Sequence, residues 1–353
     1  MNIAIGGDQS VLPNEKRGQP LDLLHTMRMR VRAKHYWPIF DEQHLWDNQH
    51  QLIQRAKEGP IYYLGQGSNT VFMQDFKGLV VHLCTRGIET LFENDKEVRV
   101  KVAAGENWHQ WVEYCVTKGW YGIENLVLIP GTVGAAPVQN IGAFGAEVAQ
   151  VVESVTIWNC QNGQCFTLSK DDCQFAYRSS IFQRQPQWLI ISVVFHLNKH
   201  FSANLAYQPL AQWWEEQIIQ RDSVPSPRDL VDHIIEIRKS RLPDSKLLGN
   251  SGSFFHNPVV DVQQHDHLRS DYPNLPTYST ADGYYKLAAA WMIDYLGLKG
   301  FSVGDMAVHQ NQALVLVNKG KGTPTQLLHL VKIIQQAVFS HFGVKLHVEP
   351  NLV

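Results

Sequence analysis

Residues 122–147, GIENLVLIPGTVGAAPVQNIGAFGAE, show neither the helical period nor the alternation of a strand. The run is too apolar to lie in water and too rich in Gly, Pro and Ala to form a regular element, so it reads as a long ordered loop. Ordered apolar loops of this length usually wrap a ligand. Within it, Pro130, Gly131, Thr132, Gly134 and Ala135, then Gln139, Asn140 and Gly142, make a wall of small residues in which the two amides can hydrogen-bond a flat polar ring. A rigid buried loop without a ligand is the plainer alternative.

A second glycine-rich stretch lies upstream at 64–72, LGQGSNTVF. It follows IYYL at 61–64, which reads as a strand running into a turn. Gly65 and Gly67, with Ser68, Asn69 and Thr70, bring backbone N–H groups close to a phosphate with no bulky side chain in the way. The stretch is not a Rossmann fingerprint, because Thr70 occupies the third glycine position, and GKGTP at 320–324 lacks the leading spacing of a P-loop. Alone, it is equally consistent with a tight turn of no functional meaning.

At 353 residues the chain is long enough for about two or three domains. Its 31 basic and 33 acidic residues give a net charge of -2, which argues against general nucleic-acid binding and makes any phosphate site a local one. The five cysteines, Cys84, Cys115, Cys160, Cys165 and Cys173, are too sparse for a disulfide scaffold and fit a reducing cytoplasm. The first twenty residues hold no long apolar segment, and no later stretch reaches the roughly eighteen apolar residues of a membrane span, so no membrane insertion is expected. His196 with His200, and His265 with His267, lack a converging third ligand, so no metal is expected.

Strands are predicted at 79–83, from Val98, over VVESVTIWN, over WLIISVVFHL and at 313–318. Helices are predicted at 107–118 between the cap Asn107 and the stop Gly119, over DLVDHIIEIRKSRLP, and from 285 to 296 before Gly297. A further one starts at Pro324 behind the cap Thr323, with Leu327, Leu328, Val331, Ile334 and Val338 on one face and Gly343 as its stop. A boundary is placed near 218, ahead of the polar stretch 219–227.

Read together, the two glycine-rich stretches resemble the FAD-binding core of the UDP-N-acetylenolpyruvoylglucosamine reductases, the MurB family. Three more segments carry the resemblance in order: AYRSSIF at 176–182 is similar to YRDSIF, GNSGSFFHNP at 249–258 to GNAGSFFKNP, and FGVKLHVEP at the C-terminus to a closing LEPE pattern. The resemblance covers roughly residues 24–353. It implies an α+β protein with two FAD-binding α+β subdomains, 1–88 (completed by 343–353) and 89–218, and a C-terminal α+β substrate domain at 219–342. It also implies non-covalent FAD, in keeping with the lack of His or Cys in the glycine-rich stretches. NADPH is then the hydride donor, and the reaction is reduction of UDP-N-acetylenolpyruvoylglucosamine to UDP-N-acetylmuramate for peptidoglycan. The protein is expected to be a cytoplasmic monomer.

By the same resemblance, Arg178 and Glu349 stabilise charge that develops on the substrate carboxylate once hydride has added to the methylene carbon, and Ser253 protonates the neighbouring carbon. An arginine and a protonated carboxyl suit that task as donors to a developing anion; a lone serine is a poor acid, and its role rests on the resemblance. Arg241 matches a basic residue for substrate phosphate or the nicotinamide dinucleotide. Asn257 and Gln312 match substrate contacts. Tyr207, in LAYQPL, matches the tyrosine that the type I subfamily carries on an extra loop over the UDP group; core packing is the alternative for that ring.

The chain departs from the family pattern at Phe144 (for Tyr), Ser179 (for Asp), His256 (for Lys) and in HVEPN. Aligning the end on Glu-Pro instead puts Asn351 at the catalytic position. Two rival readings are a flavin oxidase of the same fold acting on a sugar or lactone, and a non-catalytic FAD or UDP-sugar sensor.

Overall fold

The computed structural model describes residues 12–280 and 282–353, so the expectation about the first twenty residues lies in part outside the described residues. The protein is α+β. It divides into one unit of Met1–Gln19, Ala33–Gln66 and Lys77–Arg238, and another of Pro20–Arg32, Gly67–Phe76 and Lys239–Val353.

Two sheets build the first unit. In one, strands Lys16–Pro20, Arg32–Ile39, Phe76–Leu83 and Ile61–Leu64 lie side by side in that order, the last two parallel with Tyr63 opposite Val81. The other is antiparallel, in the order Cys165–Ser169, Val152–Asn159, Trp188–Asn198, Glu97–Ala103, Ile88–Glu93. Its central strand, WLIISVVFHLN, is buried along most of its length, as an unbroken apolar run requires. Helix Trp108–Lys118 turns Trp108, Trp111, Val112 and Cys115 into the same core, with Trp111 tilted on Phe195 at 5.5 Å. Its ends are those the sequence signals: the Asn107 side chain accepts the Gln110 N–H, and Gly119 closes the helix at φ 72°.

In the second unit, strands Gly249–Ser253, Val315–Asn318, Met306–Val308 and Ser302–Val303 form an antiparallel sheet. A smaller sheet joins Val259–Val260, Tyr285–Leu287 and Thr277–Ser279. The helix expected over 285–296 is therefore corrected. Residues Tyr285–Leu287 pair with strands on both sides, and the helix covers only Ala289–Tyr295. A neighbouring strand, Thr277–Ser279, and a more distant one, Val259–Val260, take the backbone of 285–287, and they outweigh its local period. The last strand, Asn351–Leu352, lies parallel to Thr70–Val71.

Helix Pro324–Phe342 shows how local signals position an element. Thr323 accepts the Gln326 N–H while the Gln326 side chain reaches back to the Thr323 N–H, and Gly343 ends the helix at φ 66°. Leu327, Leu330, Val331, Ile334, Val338 and Phe342 are its buried face. Thr323→Ala will lower stability by about 1 kcal/mol, read as a shift in the denaturant midpoint at unchanged slope. Among the described residues, no helix is long and apolar enough to cross a membrane.

Candidate functional site

In the first unit, strand Ile61–Leu64 runs out into Gly65 and Gln66, and these meet the long apolar loop. A Cβ on Gly65 would lie 2.6 Å from Thr132 Oγ1. Gln66 Oε1 accepts the Gly131 N–H at 2.7 Å. Two stretches far apart in sequence thus form one surface.

The loop is held equally closely from behind. A Cβ on Gly134 would meet the Ala104 Cβ at 2.5 Å, and the Gly134 N–H donates to the Ala104 carbonyl at 2.8 Å. The Val133 N–H donates to Glu106, and the Gly131 carbonyl accepts from Trp108 at the start of its helix. Only glycine permits this backbone-to-backbone approach.

Beyond Gln66 the turn continues into the second unit. There Gly67 sits at φ 64°, where a Cβ would lie 2.3 Å from the Leu24 carbonyl. Thr26 secures the turn, its N–H donating to Gly67 O at 3.0 Å and its hydroxyl to Ser68 O at 3.3 Å. Among the described residues, no carbonyl or side chain takes the N–H of Gln66 or Gly67. Free N–H groups at a glycine turn are the makings of an anion cradle, so these residues fit a pyrophosphate.

Asn140 is used differently from what its residue type suggested. It is buried at φ 43°. Its Nδ2 donates to Glu147 Oε2 at 2.8 Å and to the Ala176 carbonyl at 3.0 Å, while Oδ1 accepts the Ala149 N–H at 3.1 Å. The carboxamide therefore braces the loop from inside. Gln139, its neighbour, is half-buried.

Arg178 packs against the same loop. Two main-chain bonds between Ala176 and Ser179 close a tight turn that holds Arg178 at φ 51°, a conformation costly for a side-chain-bearing residue. Its guanidinium donates to the Gly142 carbonyl at 2.6 Å and to the Asn140 carbonyl at 3.4 Å, and stands over the Tyr177 ring. Ser180 ties the segment down through its hydroxyl, which donates to Val138 O at 2.7 Å. Tyr207 also reaches this wall, meeting Phe144 edge-on at 5.4 Å. A phenylalanine at 144 gives Tyr207 an apolar face to pack on.

In the second unit the segment after Ser253 pairs with the segment that carries Glu349. The Glu349 N–H donates to the Phe254 carbonyl at 3.0 Å and the His256 N–H to His347 at 2.9 Å, with Phe255 bridged to Val348. This register sets Glu349 opposite Phe254, beside Ser253. His256 Nδ1 lies 3.7 Å from Glu349 Oε2. Gly252, at φ 71° with its N–H on Asn250 Oδ1, turns the strand end at Ser253. Asn257 Oδ1 accepts the Ala289 N–H at 3.1 Å and so starts a helix. Gln312 sits in the turn before the strand that pairs with Ser253, its carbonyl accepting from Val315.

Arg241 ends helix Pro227–Arg241 and is exposed. Arg238, one turn earlier, is the more telling cation. Its Nε is buried with no hydrogen-bond partner among the described residues, and burial pushes the guanidinium pKa down to about 10. A buried cation is costly until an anion meets it. The string RKSR offers three cations in sequence, and only packing distinguishes this one. Among the described residues, no group of three His, Cys, Asp or Glu side chains is placed to hold a metal ion.

Residues 51–169, which span both glycine-rich stretches, match an FAD binding domain. Residues 243–353 match the C-terminal domain of UDP-N-acetylenolpyruvoylglucosamine reductase. The UDP-N-acetylenolpyruvoylglucosamine reductase of Chromobacterium violaceum is 44% identical over 332 residues, covering 93% of this chain and 96% of that protein. The chain belongs to the UDP-N-acetylenolpyruvoylglucosamine reductase family.

The reductase of Dechloromonas aromatica is 43% identical over 342 residues, 96% of this chain and 99% of that one. The crystal structure of the UDP-N-acetylenolpyruvylglucosamine reductase of Thermus caldophilus shares the fold, with a TM-score of 0.64 over 96% of this chain and 98% of that one at 20% identity. As a member of this family, the chain is an FAD-dependent oxidoreductase of peptidoglycan precursor synthesis.

Proposed function

We propose that this reductase uses NADPH to convert UDP-N-acetylenolpyruvoylglucosamine to UDP-N-acetylmuramate in the cytoplasm, as a monomer, with Arg178, Ser253 and Glu349 as its catalytic residues. The contact of Gly65 and Gln66 with Gly131 and Thr132 carries the reading, because it makes one close-fitting backbone surface from the two stretches. Gly65, Gly67, Ser68, Asn69 and Thr70 would hold the FAD pyrophosphate. Pro130, Gly131, Thr132, Gly134, Ala135, Gln139, Gly142 and the main chain of Asn140 would line the rest. Bound FAD supplies the hydride relay between the nicotinamide and the enolpyruvyl group.

The protein's own groups then handle charge and proton. Arg178 offers guanidinium N–H donors to the substrate carboxylate as negative charge grows there. Ser253 delivers a proton to carbon. Glu349 is favoured over Asn351 because it lies beside the Ser253 strand, whereas Asn351 is exposed on the strand paired with Thr70. Arg238 and Arg241 would meet phosphate, with Tyr207, Asn257 and Gln312 on the rest of the substrate. The division into 1–88 with 343–353, 89–218 and 219–342 is proposed on the same footing, and the pairing of Asn351–Leu352 with Thr70–Val71 supports the return of the C-terminus.

Purified protein will be yellow and release free FAD on denaturation, since neither glycine-rich stretch offers a tethering side chain. Flavin that stays on the denatured chain would refute the non-covalent cradle. NADPH oxidation dependent on the enolpyruvyl substrate tests the reaction: oxygen consumption with a free sugar would favour an oxidase, and no turnover a sensor. Arg238→Ala will raise the KM for the UDP-sugar about ten- to a hundredfold with a smaller loss of kcat, the range for a hydrogen bond to a charged group. Arg241→Ala will do the same more weakly because its side chain is exposed. An unchanged KM removes the residue concerned from the site.

A further inference from the structure

The segment HTMRMRVRAK puts a basic residue at every second position from Arg28 to Lys34. Met27, Met29 and Val31 are buried, and the arginines between them turn outward. In the second unit, Arg28 and Arg30 line a cavity of about 220 Å³ with Lys319, Asp22, Leu23 and Leu247. Three cations thus face one acid. Arg28 is held at φ 56°, its guanidinium donating to the Lys246 carbonyl at 2.6 Å and its carbonyl accepting from Asn318 Nδ2 at 3.3 Å. Leu23 is 82% exposed and Leu247 84% exposed.

Single exposed leucines are ordinary, but two on the rim of one basic cavity form an amphipathic surface. A site for a small anion alone has no use for apolar side chains standing in water. We propose that this face docks the enzyme on an anionic lipid bilayer, with headgroup phosphates among Arg28, Arg30 and Lys319 and with Leu23 and Leu247 among the first acyl carbons. Charge selects that partner: the whole chain carries -2, so it approaches a negative surface only where its cations are gathered. None of these side chains belongs to the flavin or substrate site assigned above, so docking leaves the reductase machinery free.

The test is co-sedimentation of the full-length, FAD-loaded protein with vesicles of phosphatidylcholine, alone or mixed with phosphatidylglycerol. Binding is expected to the mixed vesicles only, and to weaken with added salt. Arg30→Gln with Lys319→Gln will lower partitioning about twenty-fivefold, at about fivefold per cation; Arg28 is left in place because it also braces Lys246. Leu23→Ser with Leu247→Ser will lower it about tenfold. NADPH turnover and FAD content will stay at wild-type values in both double variants, which shows that they fold. Protein that ignores the mixed vesicles, binds phosphatidylcholine equally well, or partitions as before in either double variant overturns the proposal. If only the charge variant loses binding and inorganic phosphate strips the protein from vesicles, the cavity is a small-anion site and the docking surface is refuted.

Discussion

Ser253→Ala will still let NADPH bleach the flavin, yet reoxidation by the enolpyruvyl substrate will slow about a hundred- to ten-thousandfold, the usual range for losing a general acid. The two half-reactions separate because the first moves a hydride without protonating carbon, whereas the second must place a proton on the substrate. Ser253 stands at the end of strand Gly249–Ser253, where Gly252 at φ 71° turns the chain and the register sets Glu349 alongside. A serine that served only as a structural cap would show itself differently: its loss would cost about 1 kcal/mol of stability with little change in either half-reaction. Stopped-flow absorbance of the flavin, with FAD content and melting temperature as controls, distinguishes the two. Wild-type reoxidation in the mutant, or loss of FAD, means the proton comes from elsewhere.

Gly134→Ala will weaken cofactor binding by forcing the loop off the strand end behind it. The new Cβ would lie 2.5 Å from the Ala104 Cβ, 3.1 Å from its Cα and 3.2 Å from its carbonyl oxygen, and no rotamer of Ala104 relieves that contact. The loop must move away from the strand end, which costs about 1–3 kcal/mol. That shift breaks the Gly134 to Ala104 hydrogen bond and moves Thr132 off Gly65, so FAD affinity will fall about tenfold or more, a tenfold change being about 1.4 kcal/mol. Gly283→Ala is the control. Gly283 has positive φ, at 78°, and open space around it, so its alanine variant will lose about 1–2 kcal/mol through backbone strain alone and keep its FAD. Flavin fluorescence titration and thermal melts read both. A Gly134→Ala protein with normal FAD affinity would show that the close approach does not shape the cofactor wall.

Helix Trp108–Lys118 was legible because Asn107, the apolar stripe and Gly119 act within a few residues of one another, and Thr323, Gln326 and Gly343 mark Pro324–Phe342 for the same reason. Helices Glu42–Asp47, Gln49–Glu58, Gln208–Arg221 and Val262–Asp271 were not, since each buries only one or two side chains and so shows no stripe. Composition likewise set both glycine-rich stretches apart from regular elements, and their resemblance, with that of AYRSSIF and GNSGSFF, pointed to the family. It could not say that Gly65 would touch Thr132 or that Gly134 would press on Ala104, because those contacts join segments with no local bond between them. The amide of Asn140 looks available in sequence and is taken by Glu147, Ala149 and Ala176 in the fold. The strand at Tyr285–Leu287 exists because two other strands, Thr277–Ser279 and Val259–Val260, supply its pairing partners. Arg238 is set apart from Lys239 and Arg241 only by burial. Caps, turns and side-chain spacing are short-range and can be read from neighbours, whereas desolvation, close approach and strand pairing depend on what packing brings from elsewhere in the chain, and the tertiary structure alone decided those.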